Sequence, residues 1–257
     1  MIGAIAGDII GSVYENHNIK TTAFPLFSAE STFTDDTVLT VALADSILHD
    51  ADFAAKLKEY YGLYPNAGYG SGFIRWASSP SREPYNSWGN GSAMRVSPVG
   101  FACDTLEEVL DRAQKSAAVT HNHPEGIKGA QAAAAAVFLA RTGKSKKAIA
   151  EYIATTFGYR LDEPLDSIRE HYRFDPSCQG TVPQAVTAFL ESENFEDAVR
   201  KGVSIGGDSD TIACICGAIA HAFYKEIPDP ILDKVYQTLD SRLRRVVTLF
   251  CNRYDCL

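Results

Sequence analysis

The segment Gly206-Gly-Asp-Ser-Asp-Thr211 places two acidic residues behind paired glycines and directly ahead of an apolar stretch, Ile212 to Tyr224. Paired glycines allow close backbone approach and positive φ angles, and the apolar stretch predicts a long buried helix. The segment therefore presents two carboxylates and a hydroxyl group at a helix start. A second segment far upstream, Thr34-Asp-Asp-Thr37, has the same design ahead of Val38 to Leu48.

Helix capping would explain either segment alone, because Thr, Ser and Asp are favoured N-caps and carboxylates stabilise a first helical turn. Together, however, the two segments contain four carboxylates with Thr hydroxyl groups, whereas a cap needs one side-chain oxygen. Carboxylates brought together are costly unless a cation neutralises them. An all-oxygen ligand set suits Mg²⁺, Mn²⁺ or Ca²⁺ rather than zinc. The two helix starts therefore predict a shared site for a hard divalent ion.

Composition limits the classes of function. The 257 residues carry a formal net charge of −8, which argues against nucleic acid or an anionic membrane as the default partner. The six cysteines lack zinc-site spacing, and Cys214 and Cys216, within an apolar helix, are expected to be buried free thiols. With no signal peptide and no apolar run of about 18 residues, a cytoplasmic location is expected.

The N-terminal stretch, Ile2 to Asn16, has apolar residues at helical spacing and a glycine every fourth residue from Gly3 to Gly11. Such a stripe is tolerable when another backbone packs very close to it. Asp8 and Glu15 fall on one face of this helix. Acids on an otherwise apolar helix need partners, and a metal site is one. An exposed helix end is the alternative for Glu15.

The rest of the chain predicts an all-α domain of about ten or more helices spanning residues 1–257, with no βαβ rhythm. Pro65 to Pro98, rich in Gly, Pro and aromatic residues, is expected to be one long functional loop. Asp175 to Gly180 is predicted as a loop and Pro230 to about Asn252 as one final helix. His121 and His123 are interpreted as hydrogen-bond donors, with metal ligation and a structural role as alternatives.

Five motifs resemble those of ADP-ribosylglycohydrolases, the relatives of the dinitrogenase-reductase-activating glycohydrolase, and they occur in the same order. They cover the chain from residue 3 to about residue 228. The motifs are Gly3-Ala-Ile-Ala-Gly-Asp-Ile-Ile-Gly-Ser-Val-Tyr-Glu15, Phe33-Thr-Asp-Asp-Thr37, Gly89-Asn-Gly-Ser-Ala-Met-Arg95, Thr120-His121 and Gly206-Gly-Asp-Ser-Asp-Thr211.

The resemblance implies an all-helical fold with two Mg²⁺ or Mn²⁺ ions, a binuclear metal centre, in a central cleft. The metal ligands implied by it are Thr34, Asp35, Asp36, Asp208, Asp210 and Thr211. The implied contacts to ADP-ribose are Asn90, Gly91, Ser92, Met94 and His121, with Trp88, Tyr69 and Phe73 as candidates for stacking on adenine.

The implied reaction is hydrolysis at ribose C1″ of an ADP-ribosylated protein or a small ADP-ribose conjugate. The ions hold the ribose hydroxyls, Asp208 or Asp36 steers the attacking water, and Glu15 gives a proton to the leaving group. Some family members carry an acid just before the Gly-Asn-Gly segment, where this chain has Asn86 and Ser87, so acid–base chemistry is expected from Glu15 or the metal-site aspartates.

Several alternatives remain at this point. Arginine N-linked ADP-ribose is the expected substrate, and serine O-linked ADP-ribose and O-acetyl-ADP-ribose are alternatives within the same chemistry. A non-catalytic protein that binds ADP-ribose on this scaffold is one rival. A generic metal-dependent phosphohydrolase is another, but it leaves the Gly-Asn-Gly segment unexplained.

Overall fold

The computed structural model describes residues 1–256, and that part of the chain contains fifteen α-helices and no β-strand. The all-α prediction is confirmed. The helices are α1 (Ile2–Asn16), α2 (Asp35–His49), α3 (Phe53–Leu63), α4 (Ser71–Ser78), α5 (Gly91–Met94), α6 (Ser97–Ala102), α7 (Leu106–Ala118), α8 (Pro124–Arg141), α9 (Lys146–Phe157), α10 (Leu165–His171), α11 (Cys178–Leu190), α12 (Phe195–Ser204), α13 (Ser209–Tyr224), α14 (Asp229–Thr238) and α15 (Ser241–Tyr254). None of these described helices is both long and apolar enough to cross a bilayer.

Helices α1 and α13 form the most extensive helix pair, and they touch backbone to backbone. A Cβ atom at Gly7 would lie 2.0 Å from the carbonyl oxygen of Ala213, and one at Gly217 would lie 2.3 Å from that of Gly3. Only glycine permits this approach, so the close packing predicted from the glycine stripe is confirmed. Further along, a Cβ atom at Gly11 would lie 2.5 Å from the Cα atom of Asp210. The packing therefore places the end of α1 beside the start of α13.

The start of α2 is fastened to α1 by a fully buried carboxylate, Asp8. Its Oδ2 accepts hydrogen bonds from the backbone N–H groups of Thr34 (3.0 Å) and Thr37 (3.1 Å). The hydroxyl groups of both threonines also donate to Asp8, that of Thr34 at 2.7 Å. An acid on one helix thus satisfies first-turn N–H groups of another, which have no partner within their own helix.

Helix α8 packs against α7, α11 and α13 through small side chains, and Ala132 to Ala136 are all buried. The buried thiols predicted for Cys214 and Cys216 are confirmed, and all six cysteines are free and buried. In this part of the core, small residues let the helices approach closely.

The prediction of one loop from Pro65 to Pro98 was wrong, because α4 and α5 lie within it and α6 begins at its end. In α4, Phe73 and Trp76 are spaced by one helical turn, and both are buried, with ring centroids 5.6 Å apart. Burying these two rings stabilises a helix that the Gly- and Ser-rich composition obscured. Two shorter loops remain on either side of it.

Two other boundaries differ from the predictions. Asp175 to Gly180 is only partly a loop, because α11 begins at Cys178 and Ser177 caps it by accepting a hydrogen bond from the Gly180 N–H. The single final helix is in fact α14 and α15. Asp240 separates them because its carboxylate accepts hydrogen bonds from the first N–H groups of α15, as an N-cap does.

Candidate functional site

The starts of α2 and α13 meet at a cleft of about 280 Å³, although they lie far apart along the chain. The Thr211 hydroxyl donates a 3.3 Å hydrogen bond to Oδ2 of Asp36, which joins the two helix starts directly. The convergence predicted from sequence is therefore found. The predicted catalytic and metal-binding residues that line the cleft are Glu15, Thr34, Asp35, Asp36, Asp208, Asp210 and Thr211.

Asp208 is positioned by the two glycines that precede it. Gly206 and Gly207 have φ angles of +73° and +69°, a conformation that disfavours other residues. The Asn18 side chain brackets Gly207: its Oδ1 accepts from the Gly207 N–H, and its Nδ2 donates to the Gly207 carbonyl at 3.2 Å. Lys20 donates to the carbonyl of Ile205 at 2.5 Å. This clamp fixes the direction in which the chain enters α13.

Asn90 contacts the acidic cluster through its side chain. Its Nδ2 donates to Oδ2 of Asp208 at 2.6 Å and to the Thr181 hydroxyl at 3.0 Å. Its backbone N–H donates to the Pro176 carbonyl at 2.8 Å. With both Nδ2 protons used, Asn90 orients the Asp208 carboxylate, and its amide oxygen is left for a ligand.

The acidic cluster contains no matching cation from the protein. One set of oxygens from Asp8, Asp36 and Asp210 lies within 4.8 Å of one another, and so does a set from Glu15, Asp208 and Asp210. Within residues 1–256 none of these acids forms an ion pair with a Lys, Arg or His side chain. Such a cluster is unfavourable in its fully ionised form.

Burial and repulsion between carboxylates raise the pKa values of several of these acids. Burial, with the charges of Asp8 and Asp208, raises the pKa of Asp35 to about 8. Burial and neighbouring carboxylates also raise the pKa values of Asp36 and Asp210 well above the usual range. Burial, followed by the charge of Asp208, raises the pKa of Glu15. Each shift has the same cause, negative charges crowded together away from water.

The donor set fits hard divalent cations. Oδ1 of Asp36 is buried and accepts no hydrogen bond within the described chain, which is costly unless another partner binds there. All the candidate ligand atoms are carboxylate or hydroxyl oxygens, the ligands that Mg²⁺ and Mn²⁺ prefer. Asp8, whose carboxylate lies within 4.8 Å of oxygens of Asp36 and Asp210, adds a carboxylate that the predicted ligand set did not include.

Another part of the cleft wall is formed by the glycine-rich segment and His121. Gly89, Asn90, Gly91, Met94 and His121 all line it. The Ser92 side chain is instead fully buried behind the segment, where its hydroxyl donates to the Gly126 carbonyl at 2.7 Å. The side chain of Ser92 therefore supports the segment and does not reach the cleft.

The two histidines have different environments. His123 is the N-cap of α8, and its Nδ1 accepts a 3.1 Å hydrogen bond from the Glu125 N–H. His121 lies in the cleft wall, with its ring edge-on to Tyr85 at 5.7 Å. The structural alternative thus describes His123, and His121 faces the cleft.

The aromatic candidates also separate. Tyr69 and Phe73 stack on each other at 5.2 Å, and each is only 6% exposed. Trp88 is 53% exposed beside the lining residues Ser87 and Gly89. Trp88 is therefore the most exposed of the three candidates, although its ring also contacts that of His123 at 5.5 Å, and Phe73 is the one that lines the cleft.

The lining residues that sequence reasoning did not assign to the site include Tyr85, Arg95 and Phe174. Phe174 is 57% exposed, and nothing in its local sequence distinguishes it. Arg95 could have been found from the sequence, because it is a charged residue between apolar neighbours, Met94 and Val96. In the structure its side chain is fully buried.

Comparison with known proteins shows similarity along the whole chain. The family model described as ADP-ribosylglycohydrolase matches residues 1–255. The chain is 28% identical to mouse (Mus musculus) ADP-ribosylhydrolase ARH3, with 89% of this chain and 84% of the mouse protein covered. It is 24% identical to ADP-ribosylarginine hydrolase Tri1 of Pseudomonas putida strain GB-1, with 87% and 69% covered. A solved structure titled ADP-ribosylglycohydrolase-related protein complex shares the fold, with a TM-score of 0.72, 22% identity, and 97% and 95% coverage.

Proposed function

The chain belongs to the ADP-ribosylglycohydrolase family, and from this premise we propose that it removes ADP-ribose from modified side chains by hydrolysis at ribose C1″. The observation that carries the proposal is the hydrogen bond between Thr211 and Asp36, which brings two acidic helix starts to one cleft. The glycine-rich segment lines the same cleft, whose volume of about 280 Å³ suits a small ligand.

We propose that two Mg²⁺ or Mn²⁺ ions bind in the acidic half of the cleft. The residues that would hold them are Thr34, Asp35, Asp36, Asp208, Asp210 and Thr211. The unpartnered oxygen of Asp36 and the crowded carboxylates support this assignment. Divalent ions in such a site supply Lewis acidity and hold substrate hydroxyl groups beside the scissile bond.

The roles proposed for the acids follow from their surroundings. Asn90 fixes one oxygen of Asp208, so the other can accept a proton from the attacking water in a defined direction, as a general base must. Asp36 is the alternative for this role. Glu15 is half-buried, and burial followed by the charge of Asp208 raises its pKa, which is the direction that suits a group that protonates the leaving side chain.

For the linkage we propose arginine N-linked ADP-ribose. With Glu15 carrying the proton that it donates, two divalent ions would neutralise four of the five remaining carboxylates at the site, Asp8 included. The remaining negative charge favours a cationic guanidinium leaving group over a neutral serine or acetate. One relative is named as an ADP-ribosylarginine hydrolase, which supports the same choice.

A paired assay tests the linkage. Two peptides of the same sequence, one modified on arginine and one on serine, are incubated with the protein and Mg²⁺, and free ADP-ribose is measured. Faster release from the arginine peptide is expected. Faster release from the serine peptide would contradict the arginine assignment but keep hydrolysis at C1″.

The same assay separates the rival functions. Release of AMP instead of ADP-ribose would identify a phosphohydrolase. Tight binding of ADP-ribose without hydrolysis of either peptide, in Mg²⁺ and in Mn²⁺, would identify a non-catalytic binding protein. Release of intact ADP-ribose is the result that the proposal requires.

A further inference from the structure

Arg95 is a fully buried cation without an acidic partner. Its side chain lies at the cleft, and it forms no ion pair within residues 1–256. Nη2 donates to the Ser116 carbonyl at 3.0 Å and to the Thr120 hydroxyl at 2.8 Å. Nε and Nη1 are buried with no acceptor. A buried guanidinium left in this state is costly, and a structural role alone would be filled more cheaply by an apolar residue.

The Thr120 hydroxyl bridges Arg95 and His121 by hydrogen bonds to both side chains. Because Arg can only donate, the Thr120 oxygen accepts from Nη2, and its own proton is free to be donated. That proton has two possible acceptors, Nδ1 of His121 at 2.7 Å and the Ala117 carbonyl at 3.5 Å. In the opposite tautomer Nδ1–H would donate to the hydroxyl, and the Thr120 proton would be left with only the long contact to Ala117. We therefore assign Nδ1 as the acceptor, which places the ring proton on Nε2.

Nε2 of His121 points toward the glycine-rich wall. A Cβ atom at Gly91 would lie 3.3 Å from Nε2, and one at Gly89 would lie 3.6 Å from it. Among the described residues Nε2 has no hydrogen-bond partner of its own, so its N–H is available to a ligand. Burial and the charge of Arg95 also lower the pKa of His121 well below its usual value, and its ring lies edge-on to that of Tyr85. His121 is therefore a neutral donor.

We propose that Arg95 is a positioning residue for anion binding, which acts through Thr120 to hold His121 as an Nε2–H donor to a phosphate oxygen. The identity of the ligand, ADP-ribose with its diphosphate, rests on the proposed function. The orientation of the histidine does not rest on it. Arg95 also places a positive charge behind the wall that the anion contacts.

The first test measures the tautomer of His121 in the ligand-free protein by ¹⁵N NMR, with the signal assigned from its loss in His121→Ala. The expected result is a protonated Nε2 and a bare Nδ1. Thr120→Val, which removes the hydroxyl but keeps the shape, should shift the proton toward Nδ1, and Thr120→Ser should restore it. A proton on Nδ1 in the unmodified protein, or an unchanged tautomer in Thr120→Val, would overturn the relay.

The second test measures ligand binding by calorimetry. Thr120→Val should weaken ADP-ribose binding about three- to tenfold, the effect of one lost hydrogen bond, while adenosine, which lacks phosphate, should bind unchanged. Arg95→Lys should retain more of the affinity for ADP-ribose than Arg95→Met. Equal losses for ADP-ribose and adenosine in Thr120→Val would show a general structural defect and overturn the proposal.

Failure of the proposed function gives a different result. If the unmodified protein bound no ADP-ribose, the ligand assignment would be wrong, yet the NMR measurement would still decide the relay. If Arg95→Met does not fold, the Thr120 pair provides both readouts.

Discussion

The two halves of the cleft contain buried groups of opposite charge, and each half lacks ion-pair partners among the described residues. Within residues 1–256 the acidic half brings together Asp36, Asp208 and Asp210 without an ion-pair partner. In the same described part of the chain, the donor half contains Arg95 without an acidic partner, beside His121. Buried charges in proteins are normally paired. From this contrast we infer that cations complete the acidic half and an anion completes the donor half.

The largest effect on turnover and on stabilisation by Mg²⁺ is expected from removing an acid of the cleft. Asp208→Ala and Asp35→Ala should each lower turnover by about 10²- to 10⁴-fold, as loss of a general base or of its support does. Both should also abolish the gain in melting temperature given by Mg²⁺. Turnover on the ADP-ribosylated arginine peptide and scanning calorimetry are the measurements.

The matched control is Asp111→Ala, because Asp111 lies on α7 and pairs only with Lys115, its side chain 56% exposed. It should leave turnover and the metal response unchanged. Full turnover in either cleft variant would remove the acidic half from the chemistry.

The next largest effect is expected in the pH dependence of stability. Without divalent ions, the folded state holds protons on Asp35 up to its pKa of about 8, whereas the unfolded chain releases them near 3.8. This contribution to stability is therefore full at low pH and is lost as pH rises toward 8. Bound Mg²⁺ favours the ionised acids, so the increase in melting temperature that Mg²⁺ produces should grow over the same range.

Calorimetry with chelator and with Mg²⁺, repeated across this range, measures both effects. An increase that is the same at every pH would show that protons and cations do not compete at the site. Asp36 and Asp210, whose pKa values are raised in the same direction, should add to the trend.

Separating the helices that carry the acidic half should have a smaller effect. Gly7→Ala places a methyl group 2.0 Å from the Ala213 carbonyl, so α1 must move away from α13 at a cost of about 1–3 kcal/mol in the free energy of unfolding. The affinity for Mn²⁺ should fall as well, because Asp8 moves with α1. Chemical denaturation and metal titration are the measurements.

Gly62→Ala is the control for this prediction. Gly62 lies in α3 with no atom within 4 Å of an added Cβ, so the substitution should stabilise the protein by about 0.5–1 kcal/mol. Similar effects from the two substitutions would mean that the α1–α13 contact is not specifically tight.

The smallest expected effect is on the donor half. If the exposed ring of Trp88 stacks on adenine, Trp88→Ala should weaken ADP-ribose binding about two- to tenfold. Trp88→Phe should recover most of this affinity. Binding of ribose 5-phosphate, which lacks the base, should not change, and an equal loss for that ligand would argue against stacking.

The elements that were predicted correctly are those whose signals are local. The bounds of α1 follow from its apolar spacing, and the starts of α2 and α13 follow from acids and hydroxyls ahead of apolar runs. The sequence also predicted that the starts of α2 and α13 converge, because the carboxylates at both helix starts would need a shared cation. The family motifs pointed to the same residues.

The missed helix boundaries had local causes that composition disguised. Helix α4 is stabilised by two buried rings one helical turn apart, and α14 ends where Asp240 caps the next helix. The missed side-chain contacts, in contrast, are distant in sequence. The inward turn of Ser92 depends on Gly126, and the relay from Arg95 depends on Thr120. None of these pairings leaves a pattern in either partner's own segment.

We propose that the two acidic helix starts share divalent cations beside the residues that bind the anion. Anomalous scattering from a crystal grown with Mn²⁺ and ADP-ribose is the decisive measurement. Manganese peaks contacted by both Asp36 and Asp210 are expected, with the diphosphate of the ligand on the side of Gly91 and His121. Manganese bound to one helix start alone, or a diphosphate placed away from His121, would contradict it.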